Sequence, residues 1–114
     1  MALPTGPGSE ILKSVGGSIA NSASGTSVLT TPALSIITIS GITITNTTGT
    51  QSRIKIAANN GSDRFPIHLT YIDPYETFAF NEKLVLEAGQ ILKIFEHSNQ
   101  NVDYWVSYIL QDWS

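Results

Sequence analysis

From Val28 onward, apolar and polar residues alternate with a period of two, in short runs separated by turn residues. That period places successive side chains on opposite faces of a pleated strand. "SRIKIAA" is the cleanest run, with Ile54 and Ile56 on one face and Arg53 and Lys55 on the other. "NNGSD" follows, and its Asn-Gly pair is a strong hairpin signal. "FPIHLTYI" resumes the alternation, with Phe65, Ile67, Leu69 and Tyr71 on one face and Pro66, His68 and Thr70 on the other. Pro66 cannot donate to a ladder, so it places this strand at an edge or its start at a bulge.

"LSIITISGITIT" is richer in β-branched residues but breaks phase. Its apolar positions run Leu34 and Ile36, then Ile37 and Ile39, then Ile42 and Ile44. The second shift falls at Ser40-Gly41, where a glycine signals a bulge or bend, so one long strand bent at Gly41 is expected. "SVLTT" before Pro32 reads as a strand, "TFAF" and "KLVLEAGQILKIFEH" as three short ones, and "VDYWVSYIL" as the last. In the last strand Val102, Tyr104, Val106 and Tyr108 oppose Asp103, Trp105, Ser107 and Ile109. At the N-terminus, Glu10 to Val15 forms a first strand and "GGSIANSASGTS" a loop, with room for a short strand near Ile19. Pro4, Gly6, Pro7 and Gly8 mark residues 1–9 as an extended arm, ahead of one domain over residues 10–114. About seven to nine short strands with no helical period predict an all-β, antiparallel β-sandwich, of jelly-roll or immunoglobulin-like connectivity.

Composition narrows the function. Only 13% of residues are charged, about half the usual share, and none lies between Ser14 and Ser52. Six basic residues (Lys13, Arg53, Lys55, Arg64, Lys83 and Lys93) are scattered through a chain of net charge −3, so no basic stripe for nucleic acid is visible. No cysteine is present, which removes disulfides and thiolate metal sites. "MALPTGPGSE" lacks the basic start and apolar run of a signal peptide, and no run reaches the roughly twenty apolar residues of a membrane helix.

Candidate chemistry is sparse. His68 and His97 are far apart and supply no zinc pattern; His68 is expected on the polar face of its strand and His97 in a turn. "YIDPYETF" sets Asp73 and Glu76 beside Tyr71 and Tyr75, a grouping able to clamp a sugar, although Asp73-Pro74 is also an ordinary turn start. "NNGSD" lacks the ligand count of a calcium loop, and "GGSIANSASG" lacks the lysine of a phosphate loop. Asn46-Thr47-Thr48 and Asn60-Gly61-Ser62 match the glycosylation pattern, as chance matches do in so Asn- and Thr-rich a chain. No nucleophile elbow or catalytic pair is present, so neither catalytic nor metal nor cofactor residues are assigned. At the C-terminus Tyr104 and Tyr108 are expected to face the core, leaving Trp105 and Trp113 for exposure or contact with another chain.

The arm "MALPTGPGSEIL", the segments "VLTTPALSIITISGITITNTTGT" and "FAFNEKLVLEAGQILKIF", and the aromatic end "YWVSYILQDWS" together resemble small β-sandwich structural proteins of tailed-bacteriophage virions, the accessory proteins of head, neck and tail. In that family a segment like "ITITNTTGTQSRIKI" forms a central hairpin and one like "LVLEAGQILKI" the next. The resemblance implies a non-enzymatic virion protein, assembled in the host cytoplasm, that forms homo-oligomers. Its implied partners are capsid, portal, neck or tail proteins, with no nucleic acid and no membrane. Ile37, Ile39, Thr43 and Thr45 would then face another subunit as well as the core, and the arm would add a strand to a neighbour's sheet. The alternative is a carbohydrate- or receptor-binding module that stacks Tyr71, Tyr75, Trp105 or Trp113 on sugar rings. A secreted immunoglobulin-like adhesion domain is disfavoured by the missing cysteines and signal sequence.

Overall fold

The computed structural model describes residues 9–20, 25–60, 63–98 and 100–112, with backbone pairing alone for Ser9, Ala20, Asn60 and residues 63–66. Among these, nine strands follow one another: β1 (Ser9–Ala20), β2 (Thr26–Thr30), β3 (Ser35–Asn46), β4 (Ser52–Asn60), β5 (Asp63–Ile72), β6 (Thr77–Phe80), β7 (Leu84–Leu86), β8 (Ile91–Glu96) and β9 (Asn101–Asp112). They build two antiparallel sheets, ordered β1-β9-β3-β6 (with β7 also on β3) and β2-β8-β4-β5. β6 and β7 pair with the same side of β3, at Ile42–Thr45 and Ile37–Ile39, so together they form one interrupted edge. The β4–β5 hairpin apart, the connections between β1, β2, β3, β4 and between β5, β6, β7, β8, β9 pass from sheet to sheet or along that edge. This is a jelly roll, which resolves the connectivity left open by the sequence.

Several local readings are corrected by the pairing. β1 runs on through Gly16-Gly17 to Ala20, because Gly16 lies opposite Trp105 and Gly17 opposite Tyr104. A Cβ on Gly16 would sit 2.3 Å from Trp105 Cε3, and one on Gly17 would sit 2.9 Å from the Tyr104 hydroxyl. The glycines thus make room for rings that lie across the strand, a pairing that compensates their weak strand propensity. β3 and β4 do not form the expected hairpin, nor do β7 and β8; each pair is joined across the two sheets. Leu34 precedes β3, exposed and left-handed at φ 55°, so only one phase shift in this region is real.

That shift is a β-bulge. Ile39 pairs with Tyr108 and Gly41 with Ser107, which leaves Ser40 extra. Ile37, Ile39, Ile42 and Ile44 therefore all point inward and are at most 1% exposed. They meet Ile54, Ile56, Leu92 and Ile94 from the other sheet. Each such burial is worth about 1.5–3 kcal/mol before entropy is charged against it. Ile37 and Ile39 belong wholly to this core, so the expectation that they also face another subunit is wrong.

β5 carries a second bulge, between the pairs Ile56–His68 and Ala57–Pro66. The extra residue, Ile67, reverses the parity read from the sequence: Leu69 (60%) and Tyr71 (61%) point out, while Ile72 is buried. His68 consequently leaves the polar face. Its ring stacks on Phe78 (5.1 Å between centroids) and abuts Phe80 (5.6 Å), joining the β5 edge of one sheet to the β6 edge of the other.

Two buried polar side chains fasten the loops at one end of the sandwich. Asn46 Nδ2 donates to the carbonyls of Thr50 (2.7 Å), Ile72 (3.0 Å) and Asp73 (3.3 Å), and its Oδ1 accepts from Thr48 N (3.0 Å) and Oγ1 (2.8 Å). With no exposed surface, Asn46 is not a glycan acceptor in this fold. Glu96, equally buried, accepts from Ser52 Oγ (2.5 Å), Ser98 N (3.0 Å) and Gln100 N (3.0 Å).

Truncating Asn46 leaves the buried Ile72 carbonyl without this donor, a loss of about 1–3 kcal/mol. Asn46→Ala should therefore lower the urea midpoint clearly. Thr77→Ala breaks only the exposed Thr45–Thr77 hydroxyl pair (2.9 Å) and should stay within about 0.5 kcal/mol of wild type. Equal midpoints for the two variants would contradict the fastening role of Asn46.

Candidate functional site

The outer faces of the two sheets are chemically unlike each other. On the five-stranded sheet, rows of paired residues run across β1, β9, β3 and the β6–β7 edge. One row joins Leu12, Ile109, Thr38 and Val85; another joins Gly16, Trp105, Thr43 and Ala79. The strand positions facing out carry two charges among the described residues, Glu10 and Asp103, one in each terminal row. Each is tied down, Glu10 by Gln111 Nε2 (2.9 Å) and Asp103 by Ser18 Oγ (2.6 Å). Between them lies an uncharged field in which Leu12 (83%), Val85 (61%) and Trp105 (54%) are exposed. Thr43 and Thr45 present their hydroxyls on this face, away from the core. At its centre the Ser40 bulge, with Ser40 Oγ donating to Ser107 O (3.0 Å), lies beside a shallow depression also lined by Leu12, Ser14 and Lys13, the last at a strand position that alternates to the opposite face, across from Tyr108.

This field spans about 30 Å along the strands and about 14 Å across them, hence roughly 400 Å². A stable interface takes about 800 Å² from each partner. The face is therefore large enough for one contact in an assembly but small for a free-standing dimer. Uncharged hydroxyls and β-branched side chains are cheap to desolvate, whereas buried charges demand specific partners.

The four-stranded sheet gathers cations instead. Arg53 and Lys55 face out from β4, and Lys93 from β8 beside Ala57. Outward strand positions among the described residues hold no carboxylate, and Arg53, Lys55 and Lys93 make no ion pair with described residues. Phe95 lies on this outer side yet is fully buried. Lys55 Nζ stands 4.2 Å above its ring, His97 stacks on it at 5.8 Å, and Gly25 leaves space that a Cβ would fill, 2.6 Å from the ring. His97 sits in the turn after β8, as expected. Partial desolvation foremost, on a ring that stacks on Phe95 but stays exposed, then the charges of Lys55 and Arg53, hold its pKa below the ordinary histidine value, against an opposing pull from Glu96. The cationic patch escaped the sequence reading because period-two register, not adjacency in the chain, brings Lys93 alongside Arg53 and Lys55.

The residues of the sugar-clamp reading are not brought together. Asp73 to Glu76 form a turn closed by Glu76 N donating to Asp73 O (3.1 Å), with Tyr75 left-handed at φ 60° and Asp73 accepting from Gln51 Nε2 (3.0 Å). Tyr71 lies on the outer face of one sheet and Trp105 on that of the other. Tyr104 and Tyr108 face inward, half-buried against the core. Trp113, residues 1–8 of the expected arm and Gly61-Ser62 of the expected turn lie outside the described residues, while Ser9, the last residue of that arm, opens β1. No three histidine or carboxylate side chains converge among the described residues.

A histidine whose folded pKa is lowered resists protonation, so its contribution to stability is present at neutral pH and fades as the pH falls through the ordinary histidine range. In an NMR titration His97 should titrate below the free-histidine value, and Lys55→Gln should move it upward. An unchanged His97 titration in that variant would contradict the charge contribution of Lys55.

No protein-family model matches the sequence, and no curated protein does either. Solved structures do match in fold. A subunit of the disulfide-linked pili that form Bacillus endospore appendages superposes with a TM-score of 0.62 at 10% identity, covering 100% of this chain and 97% of that one. A chain of the acid-stable capsid of Helicobacter pylori bacteriophage KHP30 gives a TM-score of 0.60 at 4% identity, covering 90% of this chain and 93% of that one. The chain thus shares an all-β sandwich fold with subunits of two assembled structures, one a bacteriophage capsid.

Proposed function

We propose that this chain is a non-enzymatic structural subunit of a tailed-bacteriophage virion, assembling with copies of itself and with capsid, neck, portal or tail proteins. The observation that carries the reading is the uncharged outer face of the five-stranded sheet, on which Trp105 stands exposed beside the Ser40 bulge. It exposes Leu12, Val85 and Trp105 among uncharged hydroxyls and is ready to desolvate, and no three histidine or carboxylate side chains converge on a metal site among the described residues. The fold shared with the phage capsid chain supports the same reading, although fold alone does not license function. The fold shared with the disulfide-linked pili bears on assembly only. This chain has no cysteine, so its contacts would not be disulfide-linked.

Trp105 supplies the kind of aromatic anchor on which binding energy concentrates, surrounded by the threonines and serines of β3 and β9. Because the field is small for a dimer, it serves one contact among several around each subunit.

Native mass spectrometry or light scattering across a concentration series should find a closed oligomer, or a mass that grows with concentration. A strict monomer at every concentration that also fails to enter particles would overturn the reading. Thr43→Asp, opposite Trp105 on the exposed face, should retain the wild-type circular dichroism spectrum. It should cut incorporation into virions about tenfold or more, as a charge on a desolvated contact does. Undiminished incorporation would exclude this face from assembly.

A further inference from the structure

We infer that the cationic face of the four-stranded sheet docks onto the carboxylate-bearing β6–β7 edge of a second copy of the chain. The inference deepens the reading of the chain as an assembling subunit and rests on it. Its ground is a segregation of charge within one molecule. Arg53, Lys55 and Lys93 share one sheet face, without a carboxylate at its described outward positions. Glu76, Glu82 and Glu87 are exposed along the far edge of the other sheet, before β6, between β6 and β7, and after β7, with Lys83 as the one described cation among them. Apart from Lys83, neither group has an opposite charge beside it among the described residues of its own chain.

The spacings agree. From Arg53 to the level of Ala57, where Lys93 sits opposite, is four residues, about 13 Å along the strand. Phe80 pairs with Ile42 and Leu86 with Ile37. Glu82 and Glu87 therefore lie near the levels of Ser40 and Ile36, again about 13 Å apart. Two unlike surfaces of one subunit that complement each other make a heterologous contact, which closes into a ring or continues as an array. Exposed ion pairs contribute little affinity singly, so here the charges set register and approach. The exposed Leu69 and Tyr71, beside the cations on the same face, supply surface to bury. Such a contact weakens as salt is added.

A charge swap tests this. Arg53→Glu with Lys93→Glu reverses the face while leaving Lys55 over Phe95, and Glu82→Lys with Glu87→Lys reverses the edge. By sedimentation velocity, each double variant alone should weaken self-association about tenfold or more, with wild-type circular dichroism, and an equimolar mixture should restore it, since each reversed surface then meets its complement. If both variants associate like wild type, the docking inference fails and the structural-subunit reading stands. If wild type never associates, alone or in particles, both fail. If wild type binds single-stranded oligothymidine and only the face variant loses it, the cationic face serves nucleic acid and the inference is overturned.

Discussion

The Ser40 bulge in β3 is the constraint around which the molecule is arranged. Without it, strict alternation from Ile37 and Ile39 would turn Ile42 and Ile44 to the outside. The extra residue restores all four to the core, and the same irregularity splits the partner edge into β6 and β7. With the isoleucines inside, the intervening Thr38, Thr43 and Thr45 are left on the outer face beside Trp105 and Ile109 of β9. The long charge-free stretch thus has two jobs in alternate residues: an aliphatic core on one side and an uncharged contact surface on the other.

The ends of the sandwich follow a different rule. There the chain crosses between sheets, and backbone groups that no ladder can pair must be satisfied by side chains. Asn46 and Glu96 do this from fully buried positions, each holding several backbone groups or hydroxyls. At the open side, His68 against Phe78 and Phe80 closes the gap between β5 and β6 with stacked rings. An aliphatic centre, polar fastenings at one end and aromatic closure along one edge let a chain of this size carry two free sheet faces.

Much of this was legible in the sequence, for physical reasons. Strand content, the β4–β5 hairpin, the break near Gly41 and the split of β9 into inward tyrosines and an outward Trp105 all follow from period-two patterning and turn chemistry. What was misread depended on pairing partners. Gly16-Gly17 looked like a loop because the rings that compensate it, Trp105 and Tyr104, lie far along the chain. The bulge at Ile67 reversed the faces of β5, since one unpaired residue inverts every side chain beyond it. Segments joined by short turns resemble hairpins in sequence, although in a jelly roll most such turns cross between sheets. The cationic face was invisible for a related reason: only the β4–β8 register places Lys93 with Arg53 and Lys55.

The two outer faces divide the surface into an uncharged field and a cationic one, and assembly through both is the core of this account. Hydroxyl-radical footprinting of the free protein and of the protein in its assembled particle tests it most directly, because it reports side-chain access at Trp105, Leu69 and Tyr71 together. The account predicts that all three lose reactivity on assembly, while the already buried Phe95 and Phe80 change little. Full retained reactivity at Trp105 and at Tyr71 in the assembled particle would contradict it.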